Sequence, residues 1–239
     1  MKKMFLCVVL FLGYISISLS QDIDPIAVGV FLAGNGSSNV SKARLNSENG
    51  FAVTPLSDFG ITGYIPVSKR KNMGVLLDVG MSSYSYSEKP TANPTDETTI
   101  TNKFNYLSIS PSFTASYITF GFNLGLPMSA SRKNGSGTEV TTIDSFPIVK
   151  NGVNDKLLSD VKDNLNPVIE IRVGAMIPVV KSTLGRLNIF AKAGYMISKM
   201  LKDDYYKVAG FSDTNPSMFS VSIGINYLFT LQQPITDKY

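Results

Sequence analysis

The sequence predicts an all-β fold, an antiparallel up-and-down barrel of eight strands. Three observations carry this reading. Eight segments alternate apolar and polar residues with period two, the repeat of a strand whose two faces meet different surroundings. The connections between those segments alternate long and short. Past the first residues of the chain, no apolar run approaches the roughly 20 residues that a spanning helix needs. The clearest segment is residues 219–229. Phe219, Val221, Ile223, Ile225, Tyr227 and Phe229 share one face, and Ser220, Ser222, Gly224 and Asn226 lie on the other.

In chain order, residues 1–20 read as a signal peptide. Lys2 and Lys3 open it, residues 5–17 form a short apolar core, and Ser18-Leu19-Ser20 precedes the expected cleavage before Gln21. An uncleaved anchor is the alternative. The single cysteine, Cys7, lies inside this core, so the expected exported chain is free of disulfides. Loss of Lys2 and Lys3 lowers the formal net charge of +4 by two. A nearly neutral chain with no basic, aromatic-lined stripe gives no reason to expect a nucleic-acid partner.

Strand one is residues 26–33, with Ile26, Val28, Val30 and Leu32 on one face and Phe31 on the other. Residues 34–55, rich in Gly, Asn and Ser, read as a long loop. Strand two is residues 59–67, with Thr62 and Tyr64 opposite its apolar face. Residues 68–72 are a short polar turn. Strand three, residues 73–86, sets Val75, Leu77, Val79 and Met81 against Gly74, Asp78, Gly80 and Ser82. Residues 87–102 are a second long loop. Strand four is residues 103–114. Pro111 falls in its interior and predicts a local break in the ladder.

Residues 115–116 form a minimal turn into strand five, residues 117–128, where Ile118, Phe120, Phe122, Leu124 and Leu126 alternate with Thr119, Gly121, Asn123 and Gly125. Residues 131–166 are the longest loop. Within it Leu157, Leu158, Val161 and Leu165 share a helical face behind the cap candidate Asn154, which predicts a short helix over 154–165. Strand six, residues 167–177, carries Glu170, Arg172 and Met176 inward. Residues 178–185 turn. Strand seven, residues 186–198, carries Asn188, Phe190 and Lys192 inward. Residues 199–216 are a fourth long loop before strand eight.

The sorting of connections decides the setting. Short turns at one end and long loops at the other are expected of a barrel that crosses a bacterial outer membrane, with its apolar face to lipid and its polar face to the lumen. A lipocalin has the reverse pattern, an apolar cavity inside. The domain reading is a signal peptide at 1–20, an outer-membrane barrel at 21–231 and a tail at 232–239. Outer-membrane lipid is the first partner this implies.

Ser222-Ile223-Gly224-Ile225-Asn226-Tyr227-Leu228-Phe229 resembles the terminal insertion signal of bacterial outer-membrane barrels. That signal has a polar residue, a glycine two positions later and two aromatic or apolar positions, the last aromatic. In pattern, residues 26–229 resemble the small eight-stranded outer-membrane barrels typified by the transmembrane part of outer membrane protein A. The resemblance implies that the barrel-assembly machinery reads Ser222, Gly224, Tyr227 and Phe229 during biogenesis. It departs in one respect, since ten residues follow Phe229.

The inward charges are Asp78, Glu170, Arg172 and Lys192. A desolvated, unpaired charge is expensive, so a narrow lumen should pair them. If the 178–185 turn is symmetric, Lys192 lies roughly level with Arg172. A neutral polar plug is the leading reading of this network, because an eight-stranded lumen is about filled by its own side chains. A gate or ion path is the other. Tyr84, Tyr86, Phe104 and Tyr106 fall inside the mouth by strict alternation. A bulge that returns them to an outer aromatic girdle is the preferred expectation.

Without His, and with Cys7 in the signal segment, Ser-His and Cys-His nucleophile pairs are impossible. Zinc sites lose their main ligands. The chain is expected to be no enzyme and to hold no cofactor or metal. Two functions remain. The first is a plugged barrel acting through its extracellular loops in surface structure, adhesion or binding of an extracellular or periplasmic protein. The second is a narrow solute channel or an accessory barrel of a secretion system.

Overall fold

The computed structural model describes residues 25–41, 47–68, 73–91, 99–135, 137, 165–202 and 215–232. The signal segment, nearly all of the expected helix and the residues after Gln232 lie outside them. Leu165, the last residue of the expected helix, instead makes an isolated bridge to Leu201. Eight antiparallel strands close into one ring: β1 (Ile26–Asn39), β2 (Ser47–Ser68), β3 (Met73–Pro90), β4 (Ile100–Ala115), β5 (Ile118–Asn134), β6 (Val168–Ser182), β7 (Gly185–Met196) and β8 (Met218–Gln232). Each strand pairs with its neighbour in sequence, and β8 closes on β1.

The stagger of the ring can be followed from pair to pair. Ala27 opposes Tyr64, then come Leu76, Ser112, Gly121, Arg172, Gly194 and Ser220, and Ser220 opposes Ser37. The path returns to β1 ten residues above its start. A sheet that closes with such an offset must tilt its strands by about 40° to the axis. On β5 the outward apolar residues run from Ile118 to Met128. At about 3.3 Å per residue this stripe is about 33 Å along the strand, or about 25 Å along the axis after the tilt.

That height recurs around the ring. Val28, Val30, Ile61, Ile65, Val75, Leu77, Ile109, Phe113, Phe120, Phe122, Val173, Ile189, Ile223 and Ile225 all stand exposed on the outer surface. Soluble monomers do not show an unbroken apolar belt of this kind. Inside, Thr62, Asp78, Ser108, Ser110, Thr119, Asn123, Glu170, Asn188, Ser220, Ser222 and Asn226 are buried. The faces are as the alternation predicts. The strand ends are not.

Strands β1 to β5 run well into the segments expected to be loops. The outer half of β1, Gly34–Asn39, pairs with β8 along its whole length. Gly34, Gly36 and Ser38 form the outer face of β1 there, opposite Ile223, Val221 and Phe219 of β8, while Asn35 and Ser37 bond inward. Apolar alternation therefore marks only part of each strand. At Pro111 the β4–β5 pairing passes over two residues with no change of register. The slip on these strands instead falls at Asn105/Tyr106, opposite Pro127.

An arginine placed in the middle of the outer belt should be costly. We expect Val173→Arg to lower stability by about 2–4 kcal/mol and Ser129→Arg, above the belt on β5, by about 0–1 kcal/mol. Urea unfolding in lipid vesicles checks the ranking, and equal costs would contradict this placement of the belt.

Candidate functional site

The lumen is built in layers. Nearest the short-turn end, Tyr64, Leu76, Met176 and Leu228 form an apolar floor with Ala27. The Arg186 guanidinium lies 4.4 Å from the centre of the Tyr64 ring. Just above, Asn188 Nδ2 donates to Asn226 Oδ1 at 2.6 Å.

The middle layer is charged, and it contains all four acidic and basic residues expected in the lumen. Lys192 Nζ reaches Asp78 Oδ2 at 2.7 Å. Strands β7 and β3 stand opposite each other in the ring, so this ion pair spans the lumen. Lys192 also lies 4.9 Å from the Phe190 ring. Arg172 Nε donates to Glu170 Oε2 at 2.7 Å on the same strand. Lys192 is level with Gly174 and not with Arg172, whose partner is Gly194. The cause is the place of the hairpin tip, which falls at residues 183–184, two residues beyond the centre of the expected 178–185 turn; the slip between Pro178 and Val180 shifts the register by only one residue.

Glu170 is the hub of this layer. Its carboxylate accepts from the Tyr84 hydroxyl at 2.7 Å, from Arg172, from Asn123 Nδ2 at 3.4 Å and from the Ser220 hydroxyl. Asn123 Nδ2 also donates to the Tyr84 oxygen at 2.7 Å, and its Oδ1 accepts from Ser110 at 2.6 Å. Gly194 makes room for the hub, because a Cβ there would collide with the Glu170 carboxylate. Asp58 joins from β2. It accepts from Asn35 Nδ2 at 3.2 Å, from the Ser57 hydroxyl at 3.2 Å and from the Ser83 N–H at 3.0 Å. Every one of the eight strands thus contributes a side chain to one polar layer. Asp58, Asp78, Arg172 and Lys192 face a common cavity with space for about one water molecule.

A second apolar layer closes the network from above. Tyr84 and Tyr106 meet edge to face at 5.7 Å, and Tyr86 stacks on Phe104 at 6.2 Å. All four rings are fully buried in the mouth with Met196, Met200, Leu201, Met218, Leu165 and Val168. The expected outer girdle is therefore corrected. The bulge that would have flipped these residues outward lies on β2, and β3 and β4 keep their alternation in register with one another from Met73 to Glu88. Met200 and Leu201 come from a segment read as loop. It folds into the mouth, held by Asn166 Nδ2 donating to Leu201 O at 2.8 Å and by Asn215 Oδ1 accepting from the Leu201 N–H at 2.9 Å. Above the rings, Asn102 bridges Arg132 Nε at 2.7 Å and Glu88 at 3.2 Å.

Asp58, Glu88 and Arg132 are buried luminal charges outside the expected strands, Asp58 just before the second of them and the other two in expected loops. Parity alone would have recovered two of them, since Asp58 continues the Thr62, Tyr64 face and Glu88 the Asp78, Tyr84 face. Arg132 turns inward only because the slip beside Pro127 changes the parity of β5. Of the expected insertion signal, Ser222 is buried on the luminal face and Phe229 is exposed on the outer one. Tyr227 lies edge to face with Phe229 at 4.6 Å. Among the described residues no group of three or more acidic side chains is placed to hold a metal ion.

No family model and no curated protein matches the sequence. Solved structures with some likeness include Ail, the attachment invasion locus protein of Yersinia pestis, in complex with the heparin analogue sucrose octasulfate. It shows 9% identity over 86% of this chain and 100% of that one, with a TM-score of 0.38. The outer membrane protein OprG from Pseudomonas aeruginosa shows 8% identity over 86% and 96%, at 0.30. The outer membrane protease OmpT from Escherichia coli shows 12% identity over 90% and 98%, at 0.29. Likenesses this weak carry no argument about what this chain does.

Removing one partner of the cross-lumen ion pair strands the other charge in a dry layer. We expect Lys192→Met to cost about 3–5 kcal/mol. The double variant Lys192→Met/Asp78→Asn should be more stable than that single one. Urea unfolding of the wild type, both single variants and the double variant gives the coupling, and strictly additive costs would show that the pair is not desolvated.

Proposed function

We propose that this protein is an exported outer-membrane barrel whose lumen is closed and whose work is done by the segments above the membrane, in surface structure, adhesion or binding of a protein partner. The observation that supports this best is the stacking in the lumen. A charged layer tied to all eight strands lies between an apolar floor and an apolar ceiling of fully buried rings and methionines. Passage of a solute would require breaking several charge-assisted hydrogen bonds at once and moving Met200 and Leu201 out of the mouth. The outer belt supports the membrane setting, because its height matches the apolar band of such barrels.

A narrow channel or an accessory barrel in secretion is the competing role. It draws support only from the presence of charges in the lumen, and those charges bind each other. We assign no catalysis, because each luminal carboxylate is held by neighbouring side chains in a space too small for a substrate.

The purified protein should run with heat-modifiable gel mobility and fractionate with the outer membrane. In planar bilayers it should give no conductance above the bare membrane. Steady single-channel steps would overturn the closed-barrel reading. Recovery from the soluble periplasm without detergent would overturn the membrane one. For assembly, Phe229→Ala should slow insertion more than Tyr239→Ala, and the reverse order in an insertion assay would move the signal into the tail.

A further inference from the structure

We propose that the bulge of β2, residues 52–58, is an apolar anchor that contacts lipid at the outer edge of the membrane and carries the apolar face of β2 beyond the level at which its neighbours β1 and β3 lose theirs. This rests on the reading of the barrel as membrane-spanning. Between the pairs Phe51↔Tyr86 and Phe59↔Met81, seven residues of β2 face four residues of β3. The surplus is pushed outward. At its crest Leu56 adopts φ 49°, in the left-handed region that a residue with a side chain rarely occupies.

Behind the bulge β1 and β3 meet directly. The Ser85 N–H donates to Ser37 Oγ at 2.6 Å, and the Ser37 hydroxyl donates to Ser85 O at 2.7 Å. Asp58 is turned into the lumen, and Thr54 Oγ1 lies 2.8 Å from Ser85 Oγ. The polar groups of the bulge are thus spent inward. Val53 and Leu56 remain 67% and 65% exposed, with Pro55 also exposed between them.

The adjacent strand β3 turns polar beside the bulge at Ser83, and the polar row climbs from there with the tilt of the ring. The Ser83 hydroxyl donates to Asn105 Oδ1 at 2.6 Å, and Asn105 Nδ2 donates to Ser129 Oγ at 2.7 Å, making a hydrogen-bonded ladder along β3, β4 and β5. On β2 the outer face stays apolar through Val67, Ile65, Ile61, Phe59, Leu56 and Val53 to Phe51. The Phe51 ring lies over Gly36, where a Cβ would collide with it. The stripe is continuous with the belt and carries no charge on its outer face. Lipid is therefore the occupant it fits.

The chain has no tryptophan, so one introduced Trp reports alone. Leu56→Trp and Val53→Trp should each be quenched when the protein is refolded into vesicles of phosphatidylcholine brominated on its acyl chains. Phe122→Trp reports the middle of the belt, and Lys103→Trp reports the polar outer face of β4 near the height of Phe51. We expect strong quenching at 122, quenching at 53 and 56 at least twofold above that at 103, and little at 103. If 122 is quenched while 53 and 56 match 103, the anchor is wrong and the knuckle faces water or a protein partner. If 122 is not quenched, the membrane-spanning reading itself fails and the anchor with it. The two knuckle variants are independent, so loss of folding in one still leaves the other to decide.

Discussion

A main-chain N–H or C=O in hydrocarbon has no water to bond, and an unsatisfied one costs several kcal/mol. The rest of this structure depends on meeting that constraint by closing the sheet. Pairing of β8 with β1 over nearly the whole of both strands closes the ring and removes the edge that an open eight-stranded sheet would keep at its two ends. Closure with eight strands and a ten-residue stagger then fixes how wide the lumen is. That width is about what two layers of facing side chains fill, which is why Lys192 on β7 can touch Asp78 on β3. The plug is a consequence of the ring size, with side chains chosen to suit it.

The choice of side chains follows from the dryness of the lumen. A charge in the middle layer is far from bulk water, so its stability depends on bonds to its neighbours. Glu170 has four such donors, and they come from β3, β5, β6 and β8. Three carboxylates and two cations share the layer, and the surplus acid, Asp58, is held by neutral donors and a main-chain N–H. Loss of one member would be felt around the ring, since the hub ties together strands that are not neighbours in the sheet. A network of this kind acts against slippage of register, because a one-residue slip of any strand would turn its contribution out into the belt.

Much of this was legible in the sequence, and the limits have physical causes. Alternation gave all eight strands and both faces, because lipid and lumen impose opposite polarity on successive residues. It gave the four charges as well, and the demand for pairing gave their association. It missed the outer parts of β1, β2 and β5 and the outer ends of β3 and β4. On β1 and β2 the outer part is polar or bulged, so residues 34–39 and 47–54 read as loop although they pair. It misplaced Tyr84, Tyr86, Phe104 and Tyr106, because aromatic residues near a belt edge suit a girdle and a luminal ceiling equally well by composition. Their burial depends on Met200, Leu201 and Met218 arriving from distant segments, which no local pattern records. Bulges are the other blind spot. The slip beside Pro127 changed the direction of Arg132, and proline in a strand signals such a site without saying which way the register moves; the level of Lys192 depended on where the β6–β7 hairpin turns, which the local pattern does not record.

The unequal height of the wall bears on where a partner would be met. β2 to β5 rise well above the last pair of β6 with β5, Gly125↔Val168, whereas β7 ends at Met196 and β1 at Asn39, opposite Met218 at the start of β8. On the low side the mouth is closed by residues 165–167, 197–202 and 215–217, packed down on the aromatic ceiling and bonded to one another through Asn166, Asn215 and the Met200 N–H, which donates to Pro216 O. On the high side the strands themselves carry the surface outward. Rigid, paired β-structure presents a partner with a shape that needs little ordering on contact, which lowers the entropic cost of binding. The tall β2–β5 wall is therefore the surface that would need least ordering on contact with a partner, and the low side is the one packed down over the aromatic ceiling.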